Sequence, residues 1–104
     1  MRCRLMSNEY VIYISGNFAV EEAAKFRTNI NKMIENGQYS YILDFSQCNF
    51  VDSTGLGVIV ASYKKCKEHN GNIKLRALKA DIKKVFELTR LDKVLDILDW
   101  FENA

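Results

Sequence analysis

The sequence predicts an α/β fold, a single domain over residues 1–104 whose mixed, mostly parallel sheet of four to five strands is packed with helices. Three observations carry this expectation. The apolar patterns run strand, strand, helix, strand, helix, strand, helix, strand, an order that implies parallel pairing through right-handed crossovers. The chain has 104 residues, the size of one domain. Hydrophobic residues make up 48% against 27% charged, with 5 glycines and no proline, which supplies a core and excludes collagen-like, low-complexity and disordered chains.

The elements follow in order. In residues 1–7, Cys3 and Leu5 alternate with Arg2 and Arg4, the pattern of an edge strand turned at Ser7-Asn8. Residues 9–15 hold Tyr10, Val11, Ile12, Tyr13 and Ile14. Apolar on both parities, they read as an interior strand closed by Gly16. From residue 21 to about 35, Ala23, Phe26, Ile30, Met33 and Ile34 fall on one helical face, with Glu21 and Glu22 in the first turn and Asn36-Gly37 at the stop. Phe26 and Met33 are assigned to the core. Residues 41–45 form a second β-rich run, followed by Ser46-Gln47-Cys48-Asn49, which reads as a polar turn. Leu56, Ile59, Val60, Tyr63 and Cys66 mark a second helix, stopped by Asn70-Gly71. Ile73, Leu75 and Ala77 alternate with Lys74 and Arg76 as a strand. Residues 81–89 carry Ile82, Val85, Phe86 and Leu88 as a third helix. Leu95 and Ile97 suggest a last short strand before a turn around Trp100 and Phe101.

No apolar run approaches the roughly 18 residues of a membrane span, and the N-terminus has no signal-peptide pattern. A cytoplasmic protein is expected. Cys3, Cys48 and Cys66 lack CxxC spacing and, with the single His69, make a poor zinc ligand set. A net charge of +2 does not imply a nucleic-acid partner. The charge is uneven, however: residues 64–84 carry eight Lys/Arg against Glu68 and Asp81. Solvated helix faces explain such a run, and a docking face for an acidic protein is the alternative. No basic motif or aromatic stacking platform accompanies it, so direct nucleic-acid binding is not expected.

The densest chemistry lies in Asp52-Ser53-Thr54-Gly55-Leu56-Gly57, where a strand becomes a helix. A helix start offers up to four unpartnered backbone N–H groups and roughly half a positive charge, which suits an anion such as a phosphate. Gly55 and Gly57 cost helix propensity and leave room for a neighbouring element or another protein's backbone. The plainer reading is that Asp52 or Ser53 caps the helix, worth about 1 kcal/mol, and that the glycines pack on the sheet. Ser53 is a poor hydrolase nucleophile, because the one histidine lies about 24 Å further along the same helix. No lysine follows the glycines as in a Walker loop.

This string, with Ile42-Leu43-Asp44-Phe45 before it and Glu87-Leu88-Thr89-Arg90-Leu91-Asp92-Lys93-Val94 after it, resembles bacterial anti-sigma factor antagonists of the STAS class over about residues 9–101. The resemblance implies that Ser53, with Thr54 as backup, is phosphorylated by an anti-sigma factor that is also an ATP-dependent serine kinase. Asp52, Ser53, Thr54, Gly55, Leu56 and Gly57 would form the partner-binding segment. The unmodified form would bind that kinase and free its sigma factor, phosphorylation would end the binding, and a PP2C-type phosphatase would restore it. ATP and metal then belong to the partners, and this chain needs no cofactor and performs no catalysis. Two positions depart from the family pattern: Ala19 stands where an aspartate is frequent, and Arg90 where glycine is usual. If that glycine serves a left-handed helix end, Arg90 incurs strain there. The competing readings are a nucleotide-binding domain using the same helix start, a scaffolding module in a non-sigma signalling assembly, and a receiver with Asp44 as phosphoryl acceptor.

Overall fold

The computed structural model describes residues 2–98; the turn expected around Trp100 and Phe101 lies outside them. The elements are β1 (Arg2–Met6), β2 (Glu9–Phe18), α1 (Val20–Glu35), β3 (Ser40–Val51), α2 (Ser53–Glu68), β4 (Asn72–Arg76), α3 (Ala80–Leu88), a 3-10 turn (Leu91–Lys93) and β5 (Asp96–Leu98). The strands lie side by side in chain order. β1 and β2 form an antiparallel hairpin, and the other pairs are parallel.

Chain order decides the layering. Right-handed crossovers that always step in one direction put every helix on the same face of the sheet. Accordingly Ala23, Phe26 and Ile30 of α1, Ile59 and Cys66 of α2, and Ile82 and Phe86 of α3 join one core with Ile12, Tyr41, Leu43, Phe45, Ile73 and Leu75. Met33 packs against that core half-buried. The alternate residues of the strands point to the opposite face, which carries no helix among the described residues. There Val11 and Ile42 lie under polar arms: Lys74 Nζ reaches Glu9 at 3.1 Å and Arg76 Nε reaches Asp44 at 2.8 Å. Two of the eight cations counted between residues 64 and 84 are thus engaged on the sheet, while Lys64, Lys65, Lys67, Lys79, Lys83 and Lys84 are exposed on or beside helices.

Three boundaries correct the sequence reading. Ser46-Gln47-Cys48-Asn49 is not a turn; β3 runs through it to Val51. β2 likewise continues past Gly16 to Phe18, and the two extensions pair as Ser15↔Gln47, Gly16↔Cys48, Asn17↔Phe50 and Phe18↔Val51 with two register shifts. Each shift places an extra residue on β3, a bulge that bends the strand and hides its alternation. On β2, between the two shifts, Gly16 stands at φ +69°, a conformation that glycine adopts without strain. Ala77 lies just beyond β4, in the left-handed region at φ +59°.

Helix ends follow capping chemistry. Gly37, at φ +86°, closes α1, with Gly37 N–H donating to the Ile34 carbonyl and Gln38 N–H to that of Met33, the Schellman pattern. The same pattern closes α2, but there Asn70 takes the positive φ. Gly71 is needed for another reason: a Cβ on it would collide with the Tyr39 backbone. Ala19, in place of the frequent aspartate, is the N-cap of α1 and makes no side-chain cap bond. Arg90 stands at φ +61° after α3, so the strain expected of a non-glycine residue is present. Left-handed backbone costs about 1–2 kcal/mol for such a residue, and glycine returns about 0.5–1 kcal/mol through unfolded-state entropy. Arg90→Gly should therefore raise stability by about 0.5–1 kcal/mol, read as a higher urea midpoint at unchanged m-value.

Candidate functional site

The central strand β3 delivers its last residue, Val51, to the core at 5% exposure, and the chain turns at Asp52 into α2. Asp52 is the N-cap: its backbone is extended, and its Oδ1 accepts from Gly55 N–H at 2.9 Å. Asp52 N–H in turn donates to the Phe18 carbonyl at 3.4 Å, which ties the helix start to the end of β2. The capping role weighed for Asp52 is therefore real, and it satisfies one of the orphan amides of the first turn. Those of Ser53 and Thr54 stay at the open end of the helix.

The six residues singled out in the sequence divide by exposure. Ser53, Thr54 and Gly57 are exposed, Asp52 is half-buried, and Gly55 and Leu56 are buried. Gly55 is pressed against β2: a Cβ there would meet the Phe18 carbonyl oxygen and lie 2.7 Å from Phe18 Cδ2. Gly57 has nothing within 4 Å of the place its Cβ would take. Of the two uses foreseen for these glycines, close packing explains Gly55, while Gly57 leaves the helix surface bare. Leu56, 9% exposed, belongs mostly to the core and shows one edge outside.

That edge joins a shallow groove. Ser53, Leu56, Gly57, Val60, Ala61 and Lys64 of α2 form one wall, and Thr89 and Leu91, from the turn after α3, form the other. Sequence reasoning missed Thr89 and Leu91 as neighbours of Ser53. The left-handed step at Arg90 between them was the available signal, because it folds the chain back across α2. Elsewhere in the same two stretches of chain, Phe50 at the end of β3 and Leu88 at the end of α3 are exposed apolar residues, at 51% and 76%. The junction thus combines an accessible hydroxyl, a helix dipole and an apolar groove, which suits a docking surface more than a reaction centre.

The possible partners in catalysis lie elsewhere. His69 caps the far end of α2 and stacks on Tyr39 at 4.3 Å, so it cannot serve Ser53 as a base. Among the described residues no group of three or more His, Cys, Asp or Glu could hold a metal ion, and no helix is long and apolar enough to cross a membrane. Cys48 and Cys66 are buried thiols, and burial pushes Cys66 up to about 11.

Asp44, weighed as a phosphoryl acceptor, is 3% exposed. Its Oδ1 accepts from Ser46 N–H at 2.9 Å and its Oδ2 from Arg76 Nε at 2.8 Å, which leaves it sealed and engaged. Burial alone would raise this carboxyl, but hydrogen bonds from Ser46 and the Arg76 guanidinium outweigh it and hold the group below its ordinary value. A depressed folded-state pKa gives stability that is complete above the unfolded-state value of about 3.9 and is lost as pH falls through the folded value. Asp44→Asn should cost about 3 kcal/mol at pH 7, because it leaves a largely buried guanidinium without its counter-charge. The gap to the native sequence should narrow below about pH 4, which denaturant titrations at several pH values would measure.

A family model described as STAS domain matches residues 5–104. The chain is 31% identical over 90 residues to the anti-sigma-B factor antagonist of Bacillus subtilis (strain 168), covering 86% of this chain and 82% of that one. Among solved structures, a Thermotoga maritima protein superposes with a TM-score of 0.88 at 23% identity, covering 92% of this chain and 83% of its own. The Bacillus cell fate determinant SpoIIAA superposes at 0.77 in its phosphorylated form, with 21% identity, 94% of this chain and 88% of its own covered. Its unphosphorylated form gives the same TM-score at 20% identity, covering 94% and 86%.

Proposed function

Because the chain belongs to the STAS domain family, its model spanning residues 5–104, we propose that it is an anti-sigma factor antagonist switched by phosphorylation of Ser53. The observation that carries this reading is the placement of Ser53: exposed, first residue of α2, directly after the capping Asp52 and at the mouth of an apolar groove. The name of the Bacillus subtilis relative supports the antagonist role. In this reading the unmodified form docks its helix start and groove onto an anti-sigma factor with ATP-dependent serine kinase activity, so the sigma factor is released. Phosphorylation ends the docking, and a PP2C-type phosphatase reverses it. Ser53, Thr54 and Gly57 meet the partner, while Asp52, Gly55 and Leu56 hold them in place. ATP and its metal are bound by the kinase, a setting that fits the cytoplasm, and this chain supplies only the acceptor.

Physical chemistry favours a switch at the interface. Phosphorylation adds about −1.5 to −2 charges and three acceptor oxygens. At the first turn of a helix that charge meets the positive dipole end and the free amides, so the monomer tolerates it. SpoIIAA matches this fold equally well with and without its phosphoryl group, in keeping with a scaffold that stays in place. The test is incubation with the cognate kinase and ATP, followed by intact-mass and fragment analysis. Wild type and Thr54→Ala should each take up one phosphoryl group, and Ser53→Ala none. Equal incorporation into Ser53→Ala would refute the assignment.

A further inference from the structure

Among the described residues β1 pairs with β2 as far as Arg2↔Tyr13, and β2 continues to Phe18. Beside that last described pair, a cavity of about 310 Å³ opens between β2 and α1. It shares no lining residue with the groove beside Ser53. We propose that this cavity binds a small organic monoanion with an apolar body, an aromatic or branched carboxylate.

Its floor is apolar. Ile14, Phe18 and Phe26 line it, all three are buried, and the two phenyl rings meet edge to face at 5.4 Å. Its rim is polar and carries a surplus of positive charge. Lys25 is paired with Glu22 at 3.2 Å, which leaves Arg2 as the cation without a carboxylate among the described residues. The Arg2 guanidinium lies over the Tyr13 ring, 4.8 Å from its centroid, so one rotatable arm is already steadied. A planar guanidinium matches a carboxylate with two parallel hydrogen bonds. Asn29 donates its amide N–H to the Lys25 carbonyl at 3.0 Å, which directs that side chain along the helix rather than across the opening. The volume stands at the lower end of the range for small-molecule sites, and an apolar floor with few convergent polar groups is their usual make-up. Phe18 is shared: the ring that floors the cavity also packs against Gly55, so an occupant touches the residue that seats α2. The inference does not depend on the phosphorylation switch.

The experiment is a titration of the ¹⁵N-labelled chain with benzoate, benzamide and benzylammonium, followed by amide shifts. Benzoate should shift Ser15, Lys25 and Gln47 saturably with a dissociation constant of about 1 mM or tighter. Benzamide should bind several-fold more weakly, and benzylammonium should leave these amides unmoved. Arg2→Glu, on an exposed edge strand, should weaken benzoate roughly tenfold or more, and Asn29→Trp, on the exposed side of α1, should block it. The proposal fails if benzoate gives no saturable shift by about 20 mM, if benzylammonium binds as well, or if both variants bind benzoate like wild type.

Discussion

Ser53→Asp should lower affinity for the proposed anti-sigma kinase partner by about 10² to 10³ while leaving the fold intact. Ser53 stands at the edge of a groove whose other lining includes Leu56, Val60 and Leu91, so a partner seated there excludes water from the hydroxyl. A carboxylate or phosphate enclosed at that contact without a counter-ion costs about 3–5 kcal/mol, and the lower part of that range, about 3–4 kcal/mol, is the stated loss of affinity. In the free protein the same charge at the first turn of α2 is favourable by about 0.3–1 kcal/mol. The two measurements should therefore diverge, with calorimetric affinity collapsing and the thermal midpoint level or slightly raised. Affinity equal to wild type would overturn the interface mechanism, and a collapsed thermal midpoint would show that the charge acts through the fold.

Gly55→Ala should destabilise the protein by about 3 kcal/mol, and Gly57→Ala should do the opposite. At Gly55 the new methyl group would be driven into the Phe18 carbonyl and ring, and neither a paired strand backbone nor a ring already locked against Phe26 can yield cheaply. Overpacking of this kind costs about 1–3 kcal/mol and more against backbone, only partly offset by the roughly 1 kcal/mol that alanine gains in a helix. A loss of about 3 kcal/mol corresponds to a thermal midpoint lower by roughly 10–20 °C in a domain of this size. At Gly57 the space is open, so the propensity gain of up to about 1 kcal/mol stands alone. If both substitutions shifted the midpoint in the same direction, the packing account of Gly55 would be wrong.

Local pattern made much of this molecule legible. The helical spacing of Phe26, Ile30 and Ile34 and the β-rich run 41–45 describe elements whose burial is decided within a few residues, and the strand and helix order then fixes the topology. The Asp52–Gly57 junction could be found because its residue types are costly in a helix start and need a reason. What escaped was decided by partners distant in sequence. Gln47 and Asn49 look like turn residues, yet they extend β3 because β2 runs beside them. Arg76 and Asp44 are 32 residues apart, and only strand register makes them an ion pair. Phe18 gives Gly55 its purpose from 37 positions upstream, and Leu91 reaches the groove because Arg90 accepts a backbone turn that its side chain disfavours.

The sequential ordering of the strands has a bearing on how such a domain can diversify. The serine-bearing helix hangs from β3, with two strands on either flank, and each flank is connected only through its nearest neighbours. Margins can be lengthened, trimmed or fused to other modules without rethreading the chain, and the strand-to-helix junction at the centre is insulated from those experiments.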